Sequence, residues 1–170
     1  MHRLIRLLGD GAEAAARALA MAAIAYLLAV VAFNVAARIV FDLSGAEINL
    51  MIPGAIEQAS YVLGLIVLAA LGAAMPSGMI SVDLFTERLP APLRTGLARL
   101  WYAVVLVLAL VLVWLLAHET LALAARGEQS QDLRLPMSWI TGAFTLECLL
   151  LALICLREAV FSTGGHGELS

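Results

Sequence analysis

The sequence has no lysine, two cysteines and three histidines, and only 14% of its 170 residues carry charge. Each scarcity excludes something. All ten basic residues are arginines near the ends of apolar segments, so the formal net charge of -3 conceals no basic face for nucleic acid. His2 and His166 sit on terminal stretches and cannot complete a site beside His118, which reads as a wetted surface histidine. There is no metal-ligand spacing and no pair of histidines to hold a haem. Cys148 and Cys155 share one apolar segment; on a helix their seven-residue spacing separates them by about 10 Å, beyond disulfide reach. They read as packed thiols. With no P-loop and no Ser-His-Asp set, an enzyme reading has no residues to stand on, and no cofactor is expected in this chain.

What the sequence has in quantity is apolar residues. They make up 63% of it, and the mean hydropathy is +0.98. A soluble domain carries roughly 45–50% apolar and about 25% charged residues, so the composition is that of a membrane protein. Apolar runs cover 18–37, 59–75, 100–117 and 137–156, and each reaches the minimum of about 17 residues that a spanning helix requires. The first run is longer than the roughly 7–15 residues of a signal-peptide core and reads as an uncleaved anchor. The expected fold is an all-α membrane protein, one integral domain over 1–170. Its helices are expected at about 12–41, 56–75, 93–125 and 136–158, with a flexible tail at 162–170. No internal repeat is visible.

Between the second and third runs, Ile80, Leu84, Phe85 and Leu89 fall on one side of a helix, and Ser81, Asp83, Glu87 and Arg88 on the other. Bounded by Pro76, Pro90 and Pro92, this piece reads as a short amphipathic helix lying in the interface, or as a re-entrant or surface loop. At the N-terminal end, Arg3, Arg6, Asp10, Glu13 and Arg17 make a polar stripe. Gly9 and Gly11 argue for a break there, with Asp10 and Glu13 as a capping-box start to the membrane helix.

Arginine distribution sets the expected orientation. Arg3, Arg6, Arg17, Arg88, Arg94, Arg99 and Arg157 fall on one side, against Arg38, Arg126 and Arg134 on the other. The excess belongs in the cytoplasm, which places both termini there. Trp101, Tyr102 and Trp139 suit interfacial belts. Helix-compatible sequence in the third run extends over about 93–125, around 50 Å, so this helix is expected to tilt or to project beyond a hydrocarbon core about 30 Å thick.

Gly64 and Gly72, with Ala69, Ala70, Ala73 and Ala74, supply small-residue spacings that let helix backbones approach closely. They mark the second segment as the expected most tightly packed helix, making contact inside the chain or with a partner. Arg38 either snorkels to headgroups or pairs with Glu57 to pin the first two helices.

In their order and spacing, several of these pieces resemble the small membrane subunit of tripartite ATP-independent periplasmic (TRAP) transporters, the DctQ-like family, over about residues 18–157. They are Arg38-Ile39-Val40-Phe41, the acidic Glu57 opening the second helix, Gly72-Ala73-Ala74, Gly78, Ile80-Ser81-Val82-Asp83, Leu89-Pro90 and Arg94. Met79 departs from the pattern, since a histidine is common there. The resemblance implies a large membrane subunit that holds the substrate and sodium sites and moves like an elevator, beside which the small subunit is a fixed scaffold. It also implies a periplasmic substrate-binding protein that delivers an organic acid and docks on the outer loops 44–56 and 129–137. The location implied is the bacterial inner membrane. Two rival readings are a small proton-coupled multidrug exporter using Glu147 and a membrane-anchor subunit of a redox complex.

Glu147 is the eleventh residue from Met137, about 16 Å from the outer end of its helix and close to the bilayer centre. A charge there costs about 2.5–3.5 kcal/mol, so the side chain should face protein. The expected partner is Tyr26 or backbone; the alternative is a donor on the large subunit. The candidate interface residues are therefore Arg38, Glu57, Gly64, Gly72, Asp83, Arg88 and Glu147.

Overall fold

Long uninterrupted helices are what a sequence rich in Leu, Ala and Val dictates in lipid, where every backbone polar group has to be satisfied inside its own segment. The computed structural model describes residues 2–76 and 90–161, with four helices: α1 His2–Leu43, α2 Ala55–Ala74, α3 Ala91–Arg126 and α4 Met137–Phe161. Each is long and apolar enough to cross a membrane, and no strand occurs among the described residues. The expected interfacial helix, with Asp83 and Arg88, and the tail 162–170 lie outside the described residues.

Helix ends follow local chemistry. Pro90 precedes α3 and Pro92 sits in its first turn, where a missing N–H costs nothing. Gly127, at φ 64°, ends α3 in the left-handed conformation while its N–H and that of Glu128 return to the carbonyls of Ala124 and Leu123. Gly54, at φ 66°, opens α2.

Helix α1 corrects the expected break at Gly9 and Gly11. It runs unbroken for 42 residues, about 63 Å. Gly9 serves close approach instead of a turn, because a Cβ there would lie 2.6 Å from the Arg157 Cβ. Asp10 and Glu13 do not cap a helix; both carboxylates reach Arg157.

Helix α4 packs against all three others, α1 packs against α2, and α3 rests mainly on α4. Sequence neighbours run antiparallel: Gly72 late in α2 meets Ala16 early in α1, and Thr120 late in α3 meets Thr141 early in α4. One end of the bundle therefore carries both helix termini His2 and Phe161, and the other carries the loops 44–54 and 127–136. The core is rich in alanine and holds both thiols, with Leu151 and Ile154 among them. Ala109, Leu151, Ala152 and Cys155 form one cluster, Ala12, Ala16 and Ile154 a second, and Met75 packs on both. Cys148 and Cys155 are free and buried.

The second segment is not the most tightly packed. A third of the apolar window of α4 is buried (33%), against 11% in each of the other helices. Small residues in α2 do permit close approach, to both α1 and α4. A Cβ on Gly64 would fall 2.8 Å from the Phe144 ring, and one on Gly72 would touch Ala16 and Ile154 at 3.5 Å. Being central, α4 is covered by all three other helices, whereas α2 packs mainly on α1 and α4.

Candidate functional site: polar clasps at the two ends of the bundle

At the loop end the organising side chain is Glu57, in the first turn of α2. Its carboxylate accepts the Tyr61 hydroxyl at 2.8 Å and the backbone N–H groups of Gln131, Asp132 and Leu133 at 3.3, 3.0 and 3.2 Å. Three consecutive amides converge on one carboxylate, the arrangement of a backbone anion nest filled from within the chain. Gly54 makes room for the turn, since a Cβ there would lie 2.9 Å from the Leu133 side chain. The loop is further closed on itself by Ser130, whose N–H donates to the Leu135 carbonyl at 2.8 Å and whose Oγ accepts the Leu135 N–H at 3.2 Å. Arg126 pairs with Glu119 at 3.0 Å and Glu128 at 2.6 Å.

Glu57 thus does not pair with Arg38. Helical phase explains the difference. Glu57, Tyr61 and Gly64 share a stripe that meets α4, through the Met137 sulfur at 3.6 Å from Tyr61 and through Phe144. Arg38 is exposed and lies beside the other stripe of α2, in a groove with Ala55, Ala59 and Leu63.

Tyr26 is a second departure. It is half exposed and donates to Gln58 Oε1 at 2.9 Å, not to Glu147. Glu147 faces protein as expected, 4% exposed, with Oε2 buried and unpartnered among the described residues. Between α3 and α4, the Thr120 hydroxyl donates to the Leu116 carbonyl at 2.7 Å and lies 3.1 Å from the Thr141 oxygen.

At the terminal end, sequence reasoning used Arg157 only to count charges, and missed its role. The side chain is 10% exposed and its guanidinium holds three carboxylates: Asp10 at 2.5 Å, Glu13 at 2.6 Å and Glu158 at 2.8 Å. Glu13 also pairs with Arg17 at 2.8 Å. Beyond this knot, Arg6 stacks 4.5 Å over the Phe161 ring and His2 meets that ring edge-on. The signal available in the sequence was an arginine closing an apolar helix, on the same expected side of the membrane as Asp10 and Glu13.

An all-helical chain whose four helices can each cross a bilayer, and whose polar contacts knit its own helices and loops together, is a multi-pass membrane protein. The family model for tripartite ATP-independent periplasmic transporters, DctQ component, matches residues 27–163, and the chain belongs to that family. No curated protein and no solved structure matches it. The family is a component of a membrane transporter and not a class of enzyme, and membership implies partnership with a large membrane subunit and a substrate-binding protein. It favours neither the multidrug exporter nor the redox anchor.

Proposed function

We propose that this chain is the scaffold of its transporter, holding the large membrane subunit in register with the bilayer during sodium-coupled, binding-protein-dependent uptake of an organic acid. The supporting observation is how little of itself the chain covers. Three of its four spanning helices bury only 11% of their apolar windows, leaving broad apolar faces for a partner subunit and lipid. The same proposal puts the sodium sites in the large subunit and gives this chain no cofactor. It puts both termini in the cytoplasm of a bacterial inner-membrane protein, by the seven-to-three split of arginines. The loops 44–54 and 127–136 then face the periplasm, and the second of these, fixed by Glu57, is suited to receive the binding protein. Among the described candidate interface residues, Gly64, Gly72 and Glu57 are engaged inside the chain and Glu147 is buried in it, which leaves Arg38 as the exposed one.

The test is reconstitution in proteoliposomes. The chain alone should support no sodium-driven uptake of any organic acid, and uptake should appear when the large subunit and the binding protein are added. Uptake by the chain alone overturns the proposal.

A further inference from the structure

Near the loop end, α1 and α2 part to form a groove of about 480 Å³, within the range of about 300–1,000 Å³ usual for small-molecule sites. On the α1 side its wall includes Leu27, Val31, Asn34 and Arg38; on the α2 side it includes Ala59 and Leu63. The walls are apolar except at Ser60 of α2 and at one end. There Arg38 is exposed, and among the described residues no carboxylate lies within ion-pair distance of it. One turn inward, the Asn34 side-chain oxygen is buried without a partner.

The length of the groove is informative. From Leu27 to Arg38 is eleven residues, about 17 Å along the helix, and one leaflet of a hydrocarbon core about 30 Å thick measures about 15 Å. A cation stands at the mouth of an apolar slot one leaflet deep. A partner helix crossing the bilayer would need a groove twice that length. An acyl chain needs this one.

The geometry points to a binding site for a single phospholipid of the leaflet on the loop side, with one acyl chain between α1 and α2 and its phosphodiester on the Arg38 guanidinium. Arginine suits that role because its planar fork of donors matches phosphate oxygens and it keeps its charge at the interface. Asn34, one turn inward, adds a polar side chain to the groove wall at about the depth of the glycerol esters. This site needs only the membrane-spanning helices of this chain and does not depend on the scaffold reading.

The experiment is native mass spectrometry of the full chain, delipidated in mild detergent and titrated with phosphatidylglycerol or with diacylglycerol of the same acyl composition. One tightly held phosphatidylglycerol per chain is expected, with diacylglycerol held at least about tenfold more weakly, as the loss of a charge-assisted contact implies. Arg38→Ala should weaken phosphatidylglycerol by a similar factor, and Ser60→Phe, which fills the groove from an exposed position, should abolish the tight site. Val107→Phe, on the exposed face of α3, should leave it intact, and circular dichroism should show all three variants folded. Equal retention by wild type, Arg38→Ala and Ser60→Phe means annular lipid only and overturns the site. So does a disulfide from Ser60→Cys to a large subunit co-purified with the chain, which would put protein where the lipid is assigned.

Discussion

The Arg157 guanidinium holds the Asp10 carboxylate across 147 positions of sequence, tying the last helix to the first. The contact sits over a glycine, Gly9, whose missing side chain is what lets α1 and α4 approach closely enough. Charge and backbone proximity therefore depend on each other at this end.

Removing Arg157 should be the most damaging single change at the terminal end. Its side chain is 10% exposed and leaves three carboxylates behind, and breaking a buried ion pair typically costs about 3–5 kcal/mol. Arg157→Ala should lower the midpoint of thermal unfolding in detergent strongly. Asp10→Asn, at a side chain 65% exposed, should cost under about 1 kcal/mol. Equal effects from the two would show that the knot is not buried in the bilayer-embedded protein.

Glycine-to-alanine substitutions should fall in a definite order. Gly11 faces open space in a helix, so Gly11→Ala should stabilise by up to about 1 kcal/mol. Gly72→Ala meets only ordinary contacts at 3.5 Å and should be tolerated. Gly64→Ala forces the Phe144 ring aside and should cost about 1–3 kcal/mol, the usual penalty of overpacking. Gly9→Ala should be the worst, because the atom in its way is the Arg157 Cβ, which cannot swing clear. Chemical unfolding of the four variants gives the order directly.

Glu57→Ala should loosen the loop 127–136 without unfolding the helices. Three amides lose their acceptor at once, so hydrogen exchange at Gln131, Asp132 and Leu133 should accelerate while α3 and α4 keep their protection. Glu57→Gln retains an acceptor and should fall between the two. Unchanged exchange in Glu57→Ala would mean that the clasp does not hold the loop in solution.

Glu147→Gln should leave assembly and transport close to wild type, and Tyr26→Phe should weaken stability by about 0.6 kcal/mol, the mean for hydrogen bonds between membrane helices. Tyr26→Phe acts through Gln58, so the double change with Gln58→Leu should add nothing further. Loss of transport in Glu147→Gln with the complex still assembled would make the carboxylate chemically active.

Cysteines introduced at Ser44 and Gln131 should react with an impermeant reagent from the periplasmic side, and one at Ser162 should not. The opposite pattern would invert the orientation proposed from the arginines.

Four spanning helices were legible because hydropathy and length are local properties of sequence, and Pro90 and Pro92 mark the start of α3 within a few residues. The lateral arrangement was not, because lipid tails are as apolar as leucine and no amphipathic stripe announces which helix sits in the middle. That is why α2, rich in glycine, read as the packing helix when α4 holds the centre. Gly9 was misread for a related reason: a glycine for bending and a glycine for close approach look alike until the opposing residue, Arg157, is known. Glu57 was legible as a site but not its partners, which are backbone amides 74 to 76 positions away and carry no side-chain signature.

The helix at the centre of the bundle is also made after the three helices it packs against. Until Met137–Phe161 enters the bilayer, α1 and α2 can pair with each other, but the stripe carrying Glu57, Tyr61 and Gly64 has no surface to meet and α3 has no main neighbour. The nascent protein is therefore a loose hairpin beside a lone helix. Only when Arg157 reaches Asp10 and Glu13 does the chain lock, so quality-control proteases meet an open molecule until α4 is in place.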